Sequence, residues 1–259
     1  VPMDTQTVLT LLQDVAAEVI DPRFRALADG EVTSKTHPGD LVTVADREAE
    51  VILARELRAA YPDAMVLGEE AYAEDADLLE HFRGAAHAFT VDPVDGTRNF
   101  VHGSPDHAVM VAEVRDGRAE RAWIWQPQHR RAYVAERGQG LWCDGRRVRR
   151  DAPGADPATW RVRASARRLV GTHLGQAGPL GLTWVSCGID YPHLAEGDCD
   201  ALVYRGTMPW DHVPGSLMLE EVGGTVLTTD GEPYSPSGRP RGLVAAASRE
   251  VAAGLVAAL

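Results

Sequence analysis

The sequence predicts a layered α/β protein of the α+β kind, and three observations carry that expectation. Strand and helix signals alternate along 259 residues, 44% of them are hydrophobic against 25% charged, and Asp-Gly pairs punctuate the middle of the chain. That balance is ordinary for folded globular chains and argues against disorder. The length suffices for one large domain or two smaller ones.

An amphipathic helix is expected first, over residues 5–27, because Val8, Leu11, Leu12, Val15, Val19 and Ile20 recur near the helical period. Asp4 or Thr5 can cap it, and Pro22 is a place for a bend. Residues 34–40 hold Pro38 and Gly39 and read as a loop. A second helix follows over 45–60, with Ala49, Ile52, Leu53 and Leu57 on one face and Arg and Glu on the other. Met65, Val66 and Leu67 form a short strand that presents Gly68-Glu69-Glu70 at its end. A further apolar run, Ala88-Phe89-Thr90-Val91, is a strand feeding Asp92-Pro93-Val94-Asp95-Gly96-Thr97-Arg98-Asn99-Phe100, where Gly96 opens a helix and Thr97 is available as its cap.

Strands over 109–114 and 121–127, joined at Asp116-Gly117, and a hairpin over 133–143 turning at Asp144-Gly145 predict an antiparallel meander. Residues 151–158, rich in Pro, Asp and Ala, divide the chain into a half over 1–150 and a half over 151–259. In the second half, strands are expected over 160–163, 182–186, 201–204, 225–227 and 242–246. Helices are expected over 166–174, 191–196, 211–222 and 248–259, the third closed by Gly223-Gly224.

No apolar run reaches the roughly 20 residues that span a bilayer. Val1-Pro2-Met3-Asp4 carries no basic and then apolar leader, so a cytoplasmic location is expected. Cys143, Cys187 and Cys199 are odd in number and lack metal-site spacing, which predicts buried thiols. A net charge of -12 excludes general nucleic-acid binding, since that affinity comes from Lys and Arg neutralising phosphates. Loops for nucleotide phosphates, zinc-protease helices and nucleophile elbows are all missing. His102 and His107 have no partner spacing that would suggest a metal, and read as surface or supporting residues.

Chemistry enters with Asp92 and Asp95. Asp-Pro-Val-Asp-Gly is also an ordinary turn composition. At the tip of a strand, however, Pro93 and Gly96 fold the chain tightly enough for both carboxylates to face one small volume, where they repel unless cations lie between them. Oxygen ligands of this kind suit Mg²⁺.

Three stretches in order, Gly68-Glu69-Glu70, Asp92-Pro93-Val94-Asp95-Gly96-Thr97 and Trp210-Asp211 ahead of Gly223-Gly224, resemble the inositol monophosphatase family over most of the chain. The resemblance implies the layered αβαβα sandwich of the inositol monophosphatase / fructose-1,6-bisphosphatase type, with Glu69 and the 92–97 loop in the N-terminal half and Asp211 in the C-terminal half. It implies a phosphoric monoester hydrolase with two or three Mg²⁺ ions per active site, sensitive to Li⁺ and commonly homodimeric. Glu69, Asp92 and the Val94 carbonyl would hold one ion and Asp92, Asp95 and Asp211 a second; spacing alone does not choose Glu69 over Glu70. Thr97, aided by Glu69 and Asp46, would orient the attacking water, and Asp46 can also serve simply as a helix-opening acid. Asp95, Gly96, Thr97, Ser186, Tyr204 and Arg205 are the expected substrate contacts.

The substrate is expected to be a small phosphate ester of the inositol or sugar kind. Family members selective for inositol phosphates carry a glutamate seven residues before the Trp-Asp aspartate; here that position is Tyr204. Relatives act on histidinol phosphate and 3'-phosphonucleotides, and some are regulatory partners in transcription complexes. A tyrosine at 204 can equally end a strand against the core.

Overall fold

The computed structural model describes residues 2–28, 30–34 and 41–259. Helix α1 (Thr5–Val15) is capped by Asp4, whose carboxylate accepts from the Thr7 N–H at 2.7 Å. It runs on through a π turn (Ala16–Ile20) and a 3₁₀ turn (Asp21–Arg23), and Phe24 is already extended, three residues before the expected end. Pro22 has no N–H to bond backwards, so the regular α ladder gives way to these irregular turns.

Strands β1 (Val32–Ser34) and β2 (Leu41–Thr43) pair antiparallel, which local composition did not foretell. Of the loop expected over 34–40, Ser34 instead ends β1 and residues 35–40 lie outside the described residues. Helix α2 (Val44–Ala60) starts at a capping box: the Thr43 hydroxyl faces the N–H groups of Ala45 and Asp46, while the Asp46 carboxylate accepts from the Thr43 N–H at 2.8 Å.

The first sheet is built from β3 (Met65–Gly68), β4 (His87–Asp95), β5 (Ala108–Arg115), β6 (Arg118–Gln126), β7 (Arg131–Glu136), β8 (Gly140–Cys143) and β9 (Arg146–Arg147), side by side in that order. Only β3 and β4 run parallel; the rest is the expected meander. Helices α3 (Glu69–Glu74) and α4 (Leu78–Gly84) connect β3 to β4, and α5 (Thr97–Val101) follows β4. At the β5–β6 turn Asp116 and Gly117 take φ of +48° and +74°, the mirror-image hairpin geometry that matches strand twist.

The second sheet has the order β11 (Gly181–Leu182), β10 (Val162–Ala164), β12 (Ala201–Tyr204), β14 (Leu243–Ala246), β13 (Thr225–Thr228). Helices α6 (Cys187–Glu196), α7 (Pro209–Glu220) and α8 (Arg249–Val256) complete the chain. Two expectations fail here. The helix over 166–174 is only a 3₁₀ turn, Arg167–Leu169, because the segment has no apolar stripe and Gly171 adopts φ +80°. The strand over 182–186 stops at Leu182, since the Trp184 N–H turns to Asp190 at 2.6 Å and Val185 takes φ +62°.

Four apolar clusters stack the elements into five layers. Val8, Leu12, Leu53 and Leu57 of α1 and α2 meet Phe89, Val91, Val109 and Trp123 on one face of the first sheet. Ala88, Met110 and Ile124 on its other face meet Val213 and Leu217 of α7. Tyr191, Leu194 and Leu219 of α6 and α7 then pack on Leu202, Tyr204 and Ala245 of the second sheet. Val203, Val244 and Ala246, pointing the opposite way, bury Val251 and Leu255 of α8. The result is the αβαβα sandwich, and no described helix is long and apolar enough to cross a membrane.

Candidate active site

Asp92 and Asp95 lie on the last part of β4, which runs four residues beyond the expected apolar strand. The register against β5 shifts between these two aspartates. Pro93 has no N–H for the ladder, so the strand bulges and re-aims the side chains around it. Helix α7 packs across β4, β5 and β6 and brings Asp211, in its first turn, to the same place. Carboxylate oxygens of Asp92, Asp95 and Asp211 lie within 4.8 Å of one another.

The environment of this cluster is costly for negative charge. Asp92 is buried, and its Oδ1 has no hydrogen-bond partner among the described residues. Burial, followed by the charges of Glu69, Asp95, Asp211 and Asp46, holds the Asp92 carboxyl well above the usual range. Burial also lifts Asp95, to about 6, against bonds from Ser186 and from the backbone of Gly188 and Cys187. A buried orphan oxygen facing two other carboxylates fits a divalent cation, and an all-oxygen donor set fits a hard one. The cysteines are unpaired thiols; Cys143 and Cys199 are buried and Cys187 partly so.

Glu69 is the first residue of α3, directly after β3, and its charge is felt by Asp46, Asp92 and Asp95. Glu70 points into buried surroundings. The start of α3 is held by Glu50 of α2, whose carboxylate accepts from the N–H groups of Glu70 at 2.7 Å and Ala71 at 2.8 Å. A Cβ on Gly68 would stand 2.2 Å from the Glu50 carboxyl carbon, so only glycine allows this approach. Sequence reasoning passed over Glu50, although an acid one residue after Ala49 on the buried stripe of α2 was the available signal.

Thr97 is the first residue of α5 rather than its cap; Gly96, at φ +80°, holds the cap position. The Thr97 hydroxyl lies 3.0 Å from Asp46 Oδ1 and 3.0 Å from the Val94 carbonyl. Asp46 is fully buried, and burial raises its carboxyl to about 6, against bonds from Thr43 and Thr97. It is therefore both the helix-opening acid of α2 and the partner of Thr97.

A model of the inositol monophosphatase family matches residues 4–259. The chain belongs to the inositol monophosphatase family. Members of the family are phosphoric monoester hydrolases. Among its relatives, inositol monophosphatase 2 of Homo sapiens is 32% identical over 237 residues, covering 85% of this chain and 79% of that one. The Nus factor SuhB of Pseudomonas aeruginosa is 34% identical over 206 residues, 72% of each chain. The structure of the extragenic suppressor protein suhB from Bartonella henselae superposes with a TM-score of 0.79 at 26% identity, covering 98% of this chain and 97% of that one.

Residues 184–188 brace Asp95 and the segment that follows it. Ser186 donates its hydroxyl to Asp95 Oδ2, and the Gly188 N–H reaches the same oxygen at 2.7 Å. A Cβ at Gly188 would collide with Ala108 at 2.5 Å, which is why the backbone can come so close. Asn99, overlooked in the sequence, donates to the Asp106 carbonyl at 2.8 Å and the Trp184 carbonyl at 2.9 Å, tying the 92–100 segment to the 184–188 segment. Tyr204 is buried: its hydroxyl donates to Asp190 at 3.0 Å, and its ring stacks near Tyr191 and meets His212 edge-on at 4.7 Å. Arg205 beside it is exposed. His107 is fully buried against Phe24 and Phe100 and so is not a surface residue, while His102 is exposed.

Proposed function

We propose that this chain hydrolyses a small phosphate monoester of the inositol or sugar phosphate kind, with Mg²⁺ as the cation held by Asp92, Asp95, Asp211, Glu69 and the Val94 carbonyl. The observation that carries the reading is the orphaned Asp92 Oδ1 set against Asp95 and Asp211. Bound there, the cations would neutralise phosphate charge and make a bound water acidic. The Thr97 hydroxyl has one proton to donate and keeps lone pairs to accept from water. Held by Asp46 and aided by Glu69, it would orient the attacking water. The water oxygen bonds to phosphorus, the ester P–O bond breaks, and the departing alkoxide is protonated from solvent. Backbone N–H groups at Gly96 and Thr97 would meet phosphate oxygens.

Asp95, Ser186 and the exposed Arg205 would border the alcohol part of the substrate, and Tyr204 would act on it through Asp190. Histidinol phosphate and 3'-phosphonucleotides remain alternative esters for the same site. Inhibition by Li⁺ and a homodimeric state follow from the family likeness. A relative named as a Nus factor supports a second reading, a regulatory role in a transcription complex, but the intact acid cluster favours turnover. The test is phosphate release from inositol 1-phosphate, histidinol phosphate and a 3'-phosphonucleotide with saturating Mg²⁺ and with chelator. Release from at least one ester, lost in chelator, is expected; equal release in both conditions, or none from any ester, would count against it.

A further inference from the structure

We propose that Gln126, the last residue of β6, is a positioning residue for Asp95, acting through Gly188 where Pro192 leaves a gap in the hydrogen bonding of α6; this rests on the reading of the acid cluster as a metal site. Gly188 lies across the ends of three neighbouring strands. Asp95 of β4 pairs with Ala108 of β5, and Gln126 of β6 is the position just beyond the Val109–Trp125 pair, so the three form one row.

At one end of the row the Gly188 N–H donates to Asp95 Oδ2 at 2.7 Å. At the other end the Gln126 side-chain amide donates to the Gly188 carbonyl at 2.8 Å. Between them, a Cβ on Gly188 would stand 2.5 Å from the Ala108 methyl and 3.1 Å from the Met110 sulfur, so the glycine backbone rests directly on β5. Gln126 is only 4% exposed, which keeps water from competing for its bond.

The need for Gln126 is written in α6 itself. In a regular helix the Gly188 carbonyl would accept from the N–H of the residue four positions on. That residue is Pro192, buried inside the helix, and proline has no N–H. The carbonyl therefore loses its helical donor in a buried turn, where an unpaired C=O is costly. Gln126 supplies the missing donor from outside the helix. The same bond fastens the start of α6 over the strand ends, and it is this start that brings the Ser186 hydroxyl and the Gly188 N–H to Asp95. Without the Gln126 amide the carbonyl would turn toward water, lifting Gly188 from the row and loosening the carboxylate that faces Asp92 and Asp211. A purely structural role, satisfying one buried carbonyl, would lower stability and leave the response to cation unchanged.

The test follows Mg²⁺ binding by the full chain without substrate, read from the rise in melting temperature across a Mg²⁺ titration. Gln126→Leu, of similar size but without a donor, should weaken Mg²⁺ binding about tenfold and shift the Mg²⁺ dependence of ester hydrolysis by the same factor. Pro192→Ala restores an N–H at the position where the Gly188 carbonyl lacks one. Alone it should change Mg²⁺ binding little; combined with Gln126→Leu it should recover most of the lost affinity, because the carbonyl then has a donor within α6. Gln126→Asn keeps an amide but stops one methylene short of the carbonyl. It should also weaken Mg²⁺ binding, and it carries the test, with and without Pro192→Ala, if Gln126→Leu is too unstable to assay. An equal Mg²⁺ response in the native chain and the Gln126 variants overturns the proposal, as does a loss of affinity that Pro192→Ala leaves unrepaired. No Mg²⁺ response in the native chain itself would instead remove the metal reading, and this proposal with it.

Discussion

The Thr97 hydroxyl and the Asp46 carboxylate meet at 3.0 Å, and that contact ties the first turn of α2 to the end of the acid-bearing strand β4. Because Asp46 also accepts from the Thr43 N–H at 2.8 Å, its orientation is fixed by a helix cap before any substrate arrives. Thr97→Ala should lower kcat by about 10²–10³ with little loss of stability, and Thr97→Ser should restore most of it. Steady-state kinetics with thermal melts of the three proteins check this; an active Thr97→Ala would remove the threonine from the chemistry.

Asp92→Asn is expected to abolish turnover yet raise the melting temperature in chelator. Asp92 is buried, unpartnered at Oδ1 and surrounded by other acids, so removing its charge relieves repulsion in the empty cluster. The order should reverse with Mg²⁺ present, because only the native chain gains binding energy from the ion. Excess Ca²⁺ should inhibit, since a larger ion tolerates irregular coordination. Melting curves with and without Mg²⁺ decide the point, and a variant less stable in both conditions would speak against a repelling cluster.

Glu50→Ala should cost about 1–3 kcal/mol, the usual consequence of leaving buried N–H groups without an acceptor. It should also reduce kcat, because the N–H groups of Glu70 and Ala71 that Glu50 holds set the direction of Glu69. Urea unfolding and metal titration of activity separate the two effects. Loss of stability with unchanged metal dependence would leave Glu50 a purely structural cap.

Asp190 gives the fold a pH dependence. Burial lifts its carboxyl to about 8, against bonds from Trp184 and Tyr204. A folded-state pKa above the unfolded 3.8 means that the native chain holds the proton more tightly. The stabilisation is complete at low pH and is lost as pH rises through the folded value. Between about pH 5.5 and about pH 8 the native chain should lose up to about 3 kcal/mol from this group, and Asp190→Asn should flatten that slope. Tyr204→Phe, which keeps the ring but not the bond to Asp190, should cost about 1 kcal/mol. Urea midpoints across this range test both, and parallel slopes for native and Asp190→Asn proteins would contradict the burial argument.

The sequence by itself determined the parts written in contiguous residues. The hairpin turns, the period of α2, the strand into Asp92 and the Asp-Pro-Val-Asp-Gly-Thr segment are local patterns, and each is found at or near its expected place. The order of the three acidic stretches was enough to indicate the family, which the family model then matched over residues 4–259. Tertiary structure alone decided how these pieces close into a site. The bulge in β4 and the packing of α7 bring Asp211 to Asp92 and Asp95, and no local signal encodes that distance. Asn99 and Asp190 were illegible as supports, and Glu50 showed only as an acid on a buried stripe, because their partners belong to other elements and are selected by packing. The expected strand over 182–186 failed for the same reason: side chains brought in by the fold took the backbone groups that a strand would have paired.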